Sequence, residues 1–102
     1  MKSKSINELN QESLTEGLLE ERGKIHGDWQ FNATVQCALK SCVDRHLSQR
    51  ISRTEPYLPV TTAQHEALHM ICVKIARIIA GDPKHKDHWD DIAGYARLGR
   101  DS

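Results

Sequence analysis

Between Met70 and Gly81 the chain reads Met-Ile-Cys-Val-Lys-Ile-Ala-Arg-Ile-Ile-Ala-Gly, apolar on almost every side of a helix and interrupted only by Lys74 and Arg77. A helix that is greasy all round lies inside a fold rather than on its surface. The two cations stand three residues apart, hence about 60° apart around the axis, and a cation withdrawn from water needs a partner. The next segment, Asp87-His-Trp-Asp-Asp-Ile-Ala-Gly-Tyr-Ala96, supplies carboxylates at Asp87, Asp90 and Asp91. The short Asp82-Pro83 turn between the segments favours an antiparallel helical hairpin. Two arrangements follow. Lys74 and Arg77 pair internally with Asp87 and Asp91, or the cations grip a phosphate while the carboxylates hold a divalent metal or a ribose. In either case Trp89, Ile92, Tyr95 and Ala96 form the core stripe of the last helix, with Gly94 letting the backbones approach.

The remaining punctuation sets the other boundaries. Met1 to Gln11 is polar and reads as a flexible N-terminal segment ahead of a single helical domain over 12–99, with a tail at 100–102. Ser13-x-x-Glu16 is a capping box opening a first helix, whose Leu14, Leu18 and Ile25 share a stripe. Gly27 is its left-handed cap. Asp28 caps a second helix over Trp29–Gln49, with an apolar stripe through Phe31 or Val35, Leu39, Cys42 or Val43, and Leu47. Residues 50–59 hold two prolines, Pro56 and Pro59, and read as a loop. Thr61 or Thr62 caps the third helix, Gly81 ends it, and a fourth runs from near His85 to about Leu98. No stretch alternates with period two. The expectation is an all-α, compact, four-helix bundle-like domain with a C-terminal antiparallel hairpin.

Composition removes several function classes. With 102 residues the chain has room for one modest core, and its zero net charge offers no global field for nucleic acid. Arg45, Arg50, Arg53, Arg97 and Arg100 are scattered among acids, so a DNA-reading surface is weakly supported. The three cysteines, Cys37, Cys42 and Cys72, lack paired spacing and suit packed thiols in a reducing cytosol. No apolar run approaches the roughly 18 residues of a membrane span, and no signal peptide is readable. A cytoplasmic protein in a bacterial host cell is expected.

The ordered set His26-Gly27-Asp28, Lys74-x-x-Arg77, Gly81-Asp-Pro and Asp87-His-Trp-x-Asp91-Ile-Ala-Gly-Tyr-Ala96 resembles a family of small phage and prophage proteins of unassigned function. The likeness spans about Leu18 to Leu98, densest from Lys74 to Tyr95. More distantly the layout is similar to nucleotide-modification-associated phage domains and to MazG-like all-α nucleotide pyrophosphohydrolases. These relatives imply nucleotide phosphates as ligands and magnesium held by acidic residues. Here Glu16, Glu20 and Glu21 on the first helix and Asp87-x-x-Asp90 on the fourth answer to the acidic residues of those relatives, and the metal candidates are Asp87, Asp91, Glu20 and Glu21. The paired-glutamate order of the hydrolases is absent, which sets hydrolysis apart from binding. Phosphate would fall to Lys74, Arg77 and His26. The His26–Trp29 junction also opens a fresh helix N-terminus toward an anion. Trp29 would then stack on a base, or else belong to the core. His85-Lys86-x-His88, at the start of the fourth helix, reads as a solvated, fraying turn.

One further motif stands apart. His65-Glu66-Ala67-Leu68-His69 fits H-E-x-x-H, with both imidazoles one turn apart and Glu66 placed as a base. No strand is present to hold a peptide substrate, and the third ligand is unassigned among His85, His88 and Asp87. Two histidines on a half-exposed helix face explain the motif better than a zinc peptidase does. The leading expectation is a phage or prophage accessory protein that binds a nucleotide or nucleotide-derived phosphate, with Mg2+, for modification or sequestration, and that self-associates. The second is a protein-interaction module directed at a host protein, with a purely structural Lys/Arg–Asp cluster. The zinc peptidase is third, and Zn2+ is not the cofactor expected.

Overall fold

The structure is a computed structural model that describes residues 6–50 and 58–102, with side chains from 14–25, 27–50 and 58–102. The expected loop over 50–59 therefore lies largely outside the described residues. Four helices follow in order: α1 Ile6–His26, α2 Trp29–Gln49, α3 Thr62–Ala80 and α4 Lys86–Arg100. No strand occurs among the described residues. Among them, too, no helix is long and apolar enough to cross a membrane.

The boundaries follow from local chemistry. Gly27 has φ +85°, the left-handed turn that ends α1, and Asp28 accepts the Phe31 N–H at 2.9 Å to start α2. Thr61 and Gln64 form a reciprocal capping box at the head of α3, and Gly81 donates its N–H to the Arg77 carbonyl as that helix stops. The first helix starts at Ile6, upstream of the start expected at Ser13, because neither Pro nor Gly interrupts the run from Ile6 to Glu16. Residues 6–11 of that N-terminal segment thus belong to α1.

The apolar α3 sits at the centre, antiparallel to both neighbours. Gln64 at its head reaches the Gly99 carbonyl at the tail of α4 (3.2 Å), and Lys74 meets Asp91 further along. On the other side, His65 and His69 meet Asp44 late in α2. Ala67, Cys72, Val73 and Ala76 are the buried apolar residues among those described. Cys72 faces α2, where burial pushes its thiol above the ordinary value while Lys40 opposes the shift.

Three packing expectations are corrected. The inward stripe of α4 runs through His88, Ile92, Tyr95 and Gly99, whereas Trp89 and Ala96 are exposed. Trp89 instead donates its indole N–H to the Pro83 carbonyl at 2.8 Å, folding back over the turn. His88, read as part of a solvated turn, is 2% exposed. Gly94 stands in open space, and the close helix approach occurs at Gly99, where an added Cβ would lie 3.2 Å from that of Ala67. The rotation has a physical source: it brings Asp91 under Lys74, whose ammonium would otherwise be buried without a partner.

The C-terminal end of α1 is tied to this hairpin through one carbonyl. Ile25 accepts the Asp82 N–H at 2.9 Å and a hydrogen bond from the His88 ring. Upstream of that tie, α1 leaves Leu14, Leu18 and Leu19 exposed. The molecule measures 67 × 31 × 21 Å with a radius of gyration of 19.0 Å, against about 13 Å for a compact domain of this length. Compactness holds for α2–α4, from which α1 projects.

Candidate functional site

The cations of α3 have separate fates. Lys74 is 9% exposed and its Nζ lies 2.9 Å from Asp91 Oδ2. The ammonium holds the Asp91 carboxyl below the usual carboxylate value, mainly through this hydrogen bond. Asp87 does not join them; its carboxylate is exposed and lies 3.8 Å from the His85 ring. Arg77 is half-buried, and its guanidinium makes no hydrogen bond or ion pair among the described residues.

Arg77 instead lines a groove of about 890 Å3 between α1, α2 and α3. Its wall includes Arg22 of α1, Gly27 and Asp28 of the junction, and Trp29, Asn32 and Gln36 of α2. Each element contributes for a local reason. The left-handed Gly27 brings the α1–α2 junction against Ala80, and a Cβ there would overlap the Ala80 carbonyl. This contact places the first turn of α2 beside the last turn of α3, where Arg77 also complements the helix dipole. Inside, Gln36 donates to Asn32 Oδ1 at 2.7 Å, and Asn32 is 4% exposed. At the mouth, Trp29 is 78% exposed, so its indole belongs to the groove and not to the core.

Chemically the groove offers guanidinium groups, carboxamides, an aromatic face and the opening amides of a helix. Such groups recognise a planar, phosphorylated ligand, and the volume lies within the range of ordinary small-molecule sites, about 300–1,000 Å3. Asp28 is the acidic group in the lining and is already engaged as an N-cap. The side chain of His26, expected to touch phosphate, lies outside the described residues. Glu20 and Glu21 are exposed on α1 and do not converge with Asp87 and Asp91 into a ligand set among the described residues. Sequence reasoning overlooked Arg22, Asn32 and Gln36, which are spread over two helices with no common spacing. The one legible signal was the cap sequence Gly27-Asp28, which fixes where the first turn of α2 lies.

A second cluster occupies the far end of the α2–α3 interface. His65 Nε2 and His69 Nε2 lie 2.8 and 2.7 Å from the same oxygen, Asp44 Oδ1. The His65 and His69 rings stand 4.4 Å apart, tilted at 58°. The two imidazoles hold the Asp44 carboxyl below its ordinary value, the His65 hydrogen bond first and that of His69 next. Glu66, the would-be base of the H-E-x-x-H reading, is exposed and stands outside this cluster.

The chain belongs to the DUF6378 family, a domain of unknown function whose model matches residues 14–102. No curated protein and no solved structure matches it.

Proposed function

We propose that this DUF6378 domain binds a nucleotide or nucleotide-derived phosphate in the groove beneath Arg77. The observation that carries the reading is Arg77 itself, a half-buried guanidinium without a protein partner among the described residues, set beside the start of α2 and an exposed indole. Arg77 and Arg22 take the phosphate, Trp29 stacks on the base, and Asn32 and Gln36 read polar edges of base or sugar. Lys74 serves the fold through Asp91. Mg2+ enters on the phosphates of the ligand, because a groove with so little acid supplies no cage of its own. Binding with sequestration comes ahead of turnover: the described lining residues recognise a ligand but pair no nucleophile with a base. The resemblance to phage and prophage proteins suggests a bacterial cytoplasmic setting, and the more distant likeness to nucleotide-binding all-α domains suggests the nucleotide chemistry.

Calorimetric titration of nucleoside mono-, di- and triphosphates, each with and without Mg2+, tests the reading. One nucleotide class should bind, and Arg77→Met should weaken it at least tenfold, about 1.4 kcal/mol, without loss of helicity. Absence of binding across the panel, or full affinity in Arg77→Met, defeats it.

A second reading, a protein-interaction module, is favoured by the exposed leucines of α1. Leu14 and Leu18 stand one turn apart on a helix that projects from the other three, and a second copy of this chain is the occupant proposed for them. A host protein on that face is the alternative occupant.

A further inference from the structure

We infer that Asp44, His65 and His69 form a binding site for a first-row divalent transition-metal ion, distinct from the Arg77 groove and independent of it. The three ligand atoms lie within 4.8 Å of one another. Both imidazole Nε2 atoms are aimed at a single carboxylate oxygen, so the three apices already converge on one point. An ion with bonds of about 2.0–2.1 Å sets tetrahedral ligands about 3.3 Å apart. The observed 2.7–2.8 Å separations need to open by only about half an ångström, well within the freedom of side chains left partly in solvent.

The supports are firm where a site needs them to be. His65 and His69 stand one turn apart on α3, just after its capping box, and Asp44 lies inside α2. Burial of Cys72 and Ala76 along α3 holds that helix in the fold. The open side carries water ligands. Beside it lies a recess of about 380 Å3, lined by Leu47, Arg50, Val60 and Thr61 together with Asp44 and His65. Three protein ligands and a solvent-facing position form the open arrangement seen in exchangeable metal sites.

The donor set selects the ion. Imidazole nitrogen suits Zn2+, Co2+, Ni2+ and Cu2+, whereas Mg2+ demands oxygen and dehydrates reluctantly. Binding balances without redox chemistry. Each neutral imidazole moves its Nε2 proton to Nδ1 through solvent, the freed Nε2 lone pairs enter the coordination sphere, and Asp44 is already a carboxylate. An imidazolium, where present, releases one proton to solvent instead. The site joins α2 to α3, so occupancy tightens that pair of helices.

The test is a titration of metal-stripped protein with Zn2+ and, separately, Co2+, followed by calorimetry and by the visible d–d absorption of bound Co2+. Expected are one ion per chain, a higher melting temperature with Zn2+, and no shift with Mg2+ alone. Asp44→Asn and His69→Gln should each weaken Zn2+ at least tenfold and abolish the Co2+ spectrum, with unchanged helicity by circular dichroism. The double variant Cys42→Ser/His46→Gln, altered on the same helix outside the cluster, should keep both signals. Undiminished Zn2+ affinity in Asp44→Asn overturns the proposal, as does loss of binding in the Cys42/His46 control alone. Nucleotide affinity should be the same in all of these variants, so failure of this site and failure of the Arg77 groove remain separate results.

Discussion

Gly27 and His88 show how much single residues carry where few apolar side chains are buried among the described residues. Gly27 combines a positive φ with a contact against the Ala80 carbonyl, so Gly27→Ala meets both a backbone penalty and an overlap. Its expected cost is at least about 2 kcal/mol, read from urea unfolding; an unchanged midpoint would show that α1 and α2 join differently. The glycine was legible as a cap, but the Ala80 contact was not, because a distant helix supplies it. His88 was misread for the same kind of reason: its burial is set by α1 and α3, not by its neighbours in sequence. Burial holds its ring below the ordinary imidazole value, helped by His85, Arg77 and Lys74, and the bond to the Ile25 carbonyl opposes the shift. The depressed value means that the unfolded chain takes up a proton before the folded one does. Stability is therefore complete above about pH 6.5 and falls as the pH drops toward the lower folded value. Melting temperatures from pH 8 to pH 5 should show this decline, and His88→Asn should flatten it. The carboxyls of Asp91 and Asp44 are held below their ordinary value by Lys74 and by His65 and His69.

Among the elements, α3 was the most readable and α4 the least. An apolar segment with Thr61 before it and Gly81 after it has one plausible structure, and its capping box and terminator follow from local hydrogen bonding alone. The short α4 is amphipathic in more than one register, since Trp89 and His88 are adjacent and either can begin an inward stripe. The Lys74–Asp91 pair decides the rotation, and the tryptophan is left to cap the turn through Pro83. Because Asp91 stays half exposed, it keeps its hydration when Lys74 is removed. Lys74→Met should then change the melting temperature by less than about 5 °C and leave nucleotide affinity intact. A collapse in affinity with the fold preserved would return Lys74 to the phosphate site.

At the scale of the whole molecule, the elongated form and the bare leucines of α1 belong together. Each leucine withdrawn from water is worth about 1.5–3 kcal/mol, so a helix with Leu14 and Leu18 exposed one turn apart gains by pairing with its counterpart on another chain. Light scattering should report twice the 11.6 kDa chain mass at micromolar concentration, and Leu18→Glu should halve it; a monomeric wild type sinks the second-copy reading. The sequence by itself determined the helix inventory, the caps and the centrality of α3, since these depend on hydrogen bonds and hydrophobic periods within a few residues. Only the tertiary structure decided which cation is consumed and which stays available. It likewise decided that Asp44 meets His65 and His69, and that Arg22, Arg77 and Trp29 share one groove. Those meetings depend on helix rotation and crossing, which long-range packing sets and no local pattern encodes.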